Sequence, residues 1–530
     1  MSEADYGTWT KEELISRLVQ LESHGGKPSP KGKGRAQDES IDWATVPRRK
    51  IALKFCYGGW DYGGLAIQKD HTPLPTVEGK LFGALVRARL VDPKGGLEGC
   101  GWERCGRTDR GVSAAGQVVS LWVRSALPQE ELTPDASPAI AIEQPSHPPS
   151  HPPPADTSDD ASLPSLDTED IGTLAHPPAK AAPTAEHPFI HMINRHLPPT
   201  ITVLAWSPVA PAFSARHSCA WRHYKYFFSP VGLDVRAMRA ACAFLPGAHD
   251  FRNLCKIDPT KQLDQFRRDI LHASVAPVDA GNPAGMHVFD LKGSSFLYHM
   301  VRNIMGVLLS IGARLEPPTL LPALMNVAPG AEPTAGPPVS EPLPVVECRP
   351  EYMMADALPL TLWDCGYPEG AVKWQPEERD AHSMVYRALD STAERALIQT
   401  TLWQHFVDAG RLLNHGPEPH QTVLGRVLPG PQLRAVVPLE DTTASAEPRA
   451  GEDIPSPPTT AQPPPDPSAP RNIFIPLGGG THRKMMAAKY VPVLQRNRLE
   501  HFAVQNERWR AKARQKGLKI PDHAPEDAEE

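Results

Sequence analysis

The chain has 530 residues, enough for two or more domains, but 60 prolines and an apolar fraction of 40% mean that much of it is not packed core. No apolar run reaches membrane-spanning length and the polar, acidic N-terminus excludes a secretory signal, so a soluble intracellular protein with free thiols and no membrane contact is expected. The formal charge of −6 is unevenly placed: residues 127–188 hold eleven acidic side chains against one lysine, and the rest of the chain is net basic at +4.

In chain order, Thr10 and Glu13 form a capping box that opens a short helix with Leu14, Leu18 and Leu21 on one face. A polar linker comes next over 25–42, in which Lys31-Gly32-Lys33-Gly34-Arg35 reads either as plain linker or as a basic import signal. Residues 1–45 are thus set apart from the core. Strands are predicted over 51–57, 118–123, 201–206, 222–228 and 287–292, several of them with period-two alternation, and helical spacing predicts helices over 76–90, 235–244 and 294–311.

Between 127 and 187 the sequence turns rich in Pro, Ser and Asp, with repeated His-Pro-Pro around His147 and His151, and reads as a disordered insertion. A second Pro-rich insertion is expected over about 317–350. The segment 371–530 reads as a helix over 379–413, low complexity over 438–470, and a basic tail. That tail, residues 482–519, carries eleven Lys or Arg against two Glu, and is read either as a solvated helix face or as a phosphate-contacting arm. Eight cysteines are scattered without a Cys-x-x-Cys pair; Cys100 and Cys105 are the closest two, and no metal site is expected.

The stretch from Cys105 to Ala114 carries the chemistry. In Gly106-Arg107-Thr108-Asp109-Arg110-Gly111 one carboxylate is flanked by two cations and bracketed by glycines that permit a tight turn. A carboxylate beside fixed cations stays ionised and is available as a nucleophile. Taken alone the hexapeptide also fits a surface turn whose Asp bonds its own backbone.

These residues resemble the active-site segment of the TruA-type tRNA pseudouridine synthases, Gly-Arg-Thr-Asp-x-Gly-Val. Further blocks of that family occur in order: Ile51 to Gly64 with Gln68 and Thr76-Val77-Glu78, Phe213-Ser214-Ala215-Arg216 with Arg222 to Tyr226, His249 to Lys256, Phe296 to Asn303, and Pro359-Leu360-Thr361-Leu362. The blocks span about 50–367. The third and fourth are similar to the eukaryotic branch that modifies uridines 38 and 39 of the anticodon stem-loop, as are, more weakly, Trp9 to Leu14 and Tyr490 to Val493.

The resemblance implies an α+β fold: two α/β halves sharing a long, mainly antiparallel sheet with a central basic cleft, and disordered Pro-rich insertions outside it. The first half would occupy 46–126 and 188–212, and the second 213–370. The activity implied is isomerisation of uridine to pseudouridine in tRNA, without metal or organic cofactor, by a homodimer in nucleus and cytoplasm. Asp109 takes the position of the catalytic carboxylate. Its route is open between bonding to the sugar, adding to the base and helping to abstract a ribose proton. Tyr224 would stack on the target uracil with its hydroxyl available for proton transfer, and Arg302 would pair with Asp109. Arg107 matches the arginine that enters the stem where the uridine leaves it, a simple phosphate contact being its other reading, and Leu360 or Leu362 would line the uracil pocket. Two alternatives remain: a catalytically inactive RNA-binding relative, and a synthase of the same fold acting on other tRNA positions or on messenger RNA.

Overall fold

A computed structural model describes residues 41–68, 72–128, 185–333, 336–377, 383–415 and 472–518. The helix predicted near the N-terminus, most of the acidic insertion, the stretch 438–470 and the acidic C-terminal residues lie outside the described residues. Residues up to Val46 form a separate unit, in which Thr45 N–H closes a turn on the Asp42 carbonyl at 3.1 Å. The second unit runs from Pro47 onward and contains the sheet.

Its strands and helices are β1 (Arg48–Tyr57), α1 (Val77–Arg87), β2 (Glu103–Arg104), β3 (Ser113–Arg124), α2 (Phe189–Asn194), β4 (Ile201–Pro208), β5 (Trp221–Phe228), α3 (Val235–Cys242), β6 (Gly247–Asp250), β7 (Arg267–Pro277), β8 (His287–Gly293), α4 (Met300–Gly312), α5 (Leu320–Met325), β9 (Leu360–Gly366), β10 (Gln375–Pro376), α6 (Met384–His415), β11 (Asn472–Gly478), β12 (Thr481–Met486) and α7 (Phe502–Gln515). Among the described residues, ten strands join in one sheet of order β10-β4-β1-β3-β9-β5-β8-β7-β6, with β2 alongside β3. Every pairing is antiparallel except β3 with β9, which run parallel through Ser113 opposite Thr361 and Ala114 opposite Leu362. That seam joins the strands of the first half to those of the second, and the Asp109 loop enters it directly.

Local chemistry accounts for the elements. Thr76 caps α1 by accepting from Gly79 N–H at 3.2 Å, and Asp234 caps α3 by accepting from Ala237 N–H at 3.1 Å. In β5 the alternation buries Arg222, Tyr224, Tyr226 and Phe228 and leaves Trp221, His223, Lys225 and Phe227 part-exposed on the other face. The five predicted strands are all present. Three strands of the second half, β6, β7 and β9, were not predicted as strands, and β7 has too many polar positions for a clear alternation. Among the described residues no helix is long and apolar enough to cross a membrane.

Two expectations need correction. The helix predicted from 294 begins only at Met300, because His299 takes a left-handed conformation (φ 62°) and residues 294–299 run as a loop. The stretch 317–350 is not a disordered insertion in its first part: α5 lies in it with Leu320, Leu321 and Leu324 almost fully buried. Prolines around a helix start are tolerated, so proline content misled there. Asn253 Nδ2 anchors this region by donating to the carbonyls of Leu324 at 3.1 Å and Val346 at 2.6 Å.

The basic tail is anchored to the rest of the unit at several points. Its β11–β12 hairpin is held by Asp356 N–H on the Leu477 carbonyl at 2.7 Å. Further along, Tyr490 OH and Val493 N–H both donate to the buried Glu316 carboxylate, at 2.5 and 2.8 Å. Phe502 of α7 packs edge-on against Phe266 with centroids 4.9 Å apart.

Candidate active site

The loop between β2 and β3 is fixed at several points before it presents Asp109. Gln117 Nε2 donates to the Gly106 carbonyl at 2.9 Å, and the buried Arg222 donates to the Cys105 carbonyl at 3.0 Å. Thr108 Oγ1 and Tyr57 OH share a buried hydrogen bond of 2.7 Å. A turn then closes from Val112 N–H to the Asp109 carbonyl at 3.1 Å, with Gly111 at φ 86°, a region that costs a side-chain-bearing residue strain. Gly59 lies so close beneath this turn that a Cβ there would sit 2.0 Å from the Val112 carbonyl oxygen. Of the two glycines of the motif, Gly111 is thus the one that needs positive φ.

Asp109 meets two donors from the other half. Arg302 Nη1 lies 2.7 Å from Asp109 Oδ2, and His299 Nε2 lies 3.0 Å from the same oxygen. Burial by itself would raise the carboxyl pKa, but the hydrogen bonds and charges of His299 and Arg302 outweigh it and hold the group below its ordinary 3.8. The carboxylate is therefore ionised at neutral pH. Arg302 is in turn clamped, its Nε donating to the Ala355 carbonyl at 3.0 Å while Ala355 N–H donates to the Arg302 carbonyl at 3.1 Å.

A pocket opens over this pair, lined among others by Arg107, Asp109, Tyr224, His299, Arg302 and Leu360. Five of the six predicted site residues therefore converge. Tyr224 is 3% exposed and stands edge-on to Phe296 at a centroid distance of 5.0 Å, so its orientation is set by packing. Arg107 is exposed at the rim. Leu362 is the exception and a correction: it is fully buried, lies opposite Tyr224 in the β5–β9 register and does not line the pocket, whereas Leu360 two residues earlier does. Along one face of a strand, the first residue reaches the rim and the next lies beneath it.

His299 is the neighbour of Asp109 that sequence reasoning missed. Its block matches the family, without pointing to a role for this position. The signal was present in the spacing, since residues three apart at a helix start share a face, and Arg302 was already assigned to Asp109. The left-handed backbone at His299, which the sequence does not announce, turns the ring onto Oδ2. Among the described residues no group of three or more His, Cys, Asp or Glu is arranged to hold a metal ion.

Residues 241–368 match a family model described as tRNA pseudouridine synthase. The chain is 33% identical over 400 residues to the tRNA pseudouridine(38/39) synthase of Saccharomyces cerevisiae, covering 72% of this chain and 75% of the yeast protein. It is 35% identical over 384 residues to the protein of the same name in Homo sapiens, covering 68% and 67%. A more distant relative, the tRNA pseudouridine synthase A of Methanothrix thermoacetophila, is 29% identical over 347 residues, which cover 65% of this chain and 92% of the archaeal one.

Proposed function

Since the chain belongs to the TruA-type family of tRNA pseudouridine synthases, we propose that it isomerises uridine to pseudouridine at positions 38 and 39 of the tRNA anticodon stem-loop, with Asp109 as nucleophile and the target base flipped out of the stem. The observation that carries this reading is the ionised Asp109 carboxylate held between Arg302 and His299 beneath a pocket walled by Tyr224 and Leu360.

Both donors occupy Oδ2, so Oδ1 is the oxygen assigned to the reacting carbon. As the C1′–N1 bond breaks, a bond forms from Oδ1 to C1′ and the uracil leaves as an anion. The freed base turns in the pocket against the Tyr224 ring. C5 then attacks C1′ and releases the carboxylate; the C5 proton is lost and N1 gains one, so the atoms of substrate and product are the same. The Tyr224 hydroxyl is assigned to both proton transfers: it gives its proton to N1 and, as the phenolate, takes the one lost from C5, so that it ends neutral. Arg107, exposed at the rim, takes the space in the stem vacated by the base. This chemistry needs neither metal nor organic cofactor.

The cleft is read as basic and the partner as tRNA, bound by a homodimer as the family resemblance implies. Residence in nucleus and cytoplasm is part of the same proposal. An inactive RNA-binding relative would have no use for the Asp109–Arg302 pair, which disfavours that alternative.

The experiment is to incubate purified protein with unmodified tRNA transcripts bearing uridine at 38 or 39 and to map pseudouridine at single-nucleotide resolution. Product at 38 and 39 alone is expected. Product at other positions would replace the target assignment, and none in any transcript would sink the enzymatic reading.

A further inference from the structure

The hairpin of β11 and β12 is seated on the strand that carries Tyr224 and on the segment that clamps Arg302. The Leu477 carbonyl accepts from Asp356 N–H at 2.7 Å and from the Tyr226 hydroxyl at 3.5 Å. Asp356 follows Ala355, the partner of Arg302, and Tyr226 lies two residues along β5 from Tyr224. At the turn stand Gly478, Gly479 and Gly480, all at positive φ (81°, 57° and 79°). A Cβ on Gly478 would lie 2.0 Å from the Tyr226 hydroxyl oxygen, so the turn end is tightly seated.

The two faces of this ribbon differ in chemistry, because residues directly opposite each other in an antiparallel pair share a face. On one face Ile473 pairs with Met485 and Ile475 with Arg483, and Ile475 is buried. On the other, Phe474 pairs with Lys484, Pro476 with His482 and Asn472 with Met486. Phe474, His482, Lys484 and Met486 are all exposed, Phe474 by 39%. Among the described residues no third strand joins the ribbon, and Lys484 is not paired with a carboxylate. Residues 472–499 hold five Lys or Arg and no Asp or Glu. Asp356, the carboxylate beside the turn, accepts from Leu358 N–H at 3.2 Å.

An exposed aromatic ring opposite an ammonium group, on a ribbon without acidic side chains, fits a ligand that joins a flat π face to a negative charge. An unpaired nucleotide has both. We propose that this outer face of the hairpin binds an unpaired nucleotide of the tRNA, its base on the Phe474 ring and its phosphodiester on Lys484. The inference rests on tRNA as the substrate and adds a contact outside the pocket. A paired base has its faces taken by its neighbours in the stack, so the nucleotide belongs to a loop or an end. Stacking and phosphate contacts tolerate any sequence while fixing register, which suits an enzyme that must place one uridine over a single carboxylate. A second copy of this chain fits the face less well: a two-fold contact through it would set its basic residues against their own kind.

The test is affinity for an unmodified tRNA transcript against salt, by gel shift, for wild type, Lys484→Gln, Phe474→Ala, Phe474→Tyr and, as a control at another exposed lysine, Lys94→Gln. Both Phe474 and Lys484 are exposed, and thermal melting verifies the fold of each variant. Lys484→Gln should bind several-fold more weakly at about 0.1 M salt, with a plot of log affinity against log salt flatter by about 0.7 to 0.9, while the control keeps the wild-type slope. Phe474→Ala should bind about fivefold or more weakly at an unchanged slope, and Phe474→Tyr should bind as wild type does. Lines for Lys484→Gln and Phe474→Ala that superimpose on wild type would overturn the proposal. So would variants that change molecular mass in light scattering at unchanged tRNA affinity, since the face would then join two copies. Because affinity is read apart from product, a failure here leaves the isomerase reading standing, and a wild-type protein that binds tRNA without making pseudouridine leaves the subsite standing.

Discussion

Arg302 and Ala355 hold each other twice, side chain to backbone at 3.0 Å and backbone to backbone at 3.1 Å, and this clamp aims the remaining guanidinium branch at Asp109. A lysine supplies charge but not a fork. Arg302→Lys is therefore expected to lower the rate at saturating tRNA by about a hundredfold or more, the scale of losing one fixed donor to a reacting group, while tRNA affinity stays within a few-fold. Single-turnover kinetics beside a binding titration reads both; a rate within threefold of wild type would mean that charge alone suffices.

His299 and pH are linked through Asp109. The Asp109 pKa is depressed in the fold, so the stability it contributes is fully present above the unfolded carboxylate value and is lost as pH falls through the lower folded one. Removing His299 takes away the largest of the lowering influences and leaves the burial that raises the pKa. In His299→Ala the acid limb of the pH–rate profile should therefore move to higher pH than in wild type. An unmoved limb would show that Arg302 alone keeps Asp109 ionised.

Gly59 lies against the backbone of the Asp109 turn. In Gly59→Ala the new Cβ would meet the Val112 carbonyl at 2.0 Å, so one backbone must shift. A loss of about 1–3 kcal/mol in stability is expected, as for overpacking elsewhere, together with a fall in rate because the same turn carries the carboxylate. Denaturant unfolding and turnover are the two readouts. Unchanged stability would mean that the turn gives way more easily than its packing suggests.

The acidic insertion leaves and re-enters the core at one place. Ser125 Oγ donates to Glu186 Oε2 at 2.6 Å, and Ala126 N–H donates to Glu186 Oε1 at 2.8 Å, so the two ends of the excursion are already joined. Deleting 134–183 should leave the fold intact and activity on tRNA equal or slightly higher, since a strongly negative segment repels RNA. Loss of solubility or of the melting transition in the deletion would show that the segment is part of the core.

Much of the fold and site was legible in the sequence where one physical signal dominated. Period-two burial marked β5 and β8, and a lone carboxylate among cations and glycines marked the Asp109 loop. Less was legible where a residue answers to distant partners. Leu320, Leu321 and Leu324 form a buried helix because Asn253 anchors that region, and proline content hid it. Leu362 and Leu360 look equivalent in sequence, and only the register with Tyr224 separates rim from core. The anchoring of the tail was not legible in its charges. Leu477 of β11 is bonded to Asp356, next to the residue that clamps Arg302, and truncation before Gly478 strips β12 from β11, so it is expected to damage the catalytic step as well as binding.

In the proposed mechanism Asp109 does the chemistry while the rest of the surface holds the tRNA, and one substitution separates the two roles. Asp109→Asn is nearly isosteric and leaves the phosphate contacts that dominate binding in place. Purified variant and wild type should be compared for pseudouridine formation at saturating tRNA and for tRNA affinity by gel shift in the same buffer. The expected result is no detectable isomerisation by the variant with affinity within a few-fold of wild type. Isomerisation near the wild-type rate would contradict the assignment of Asp109.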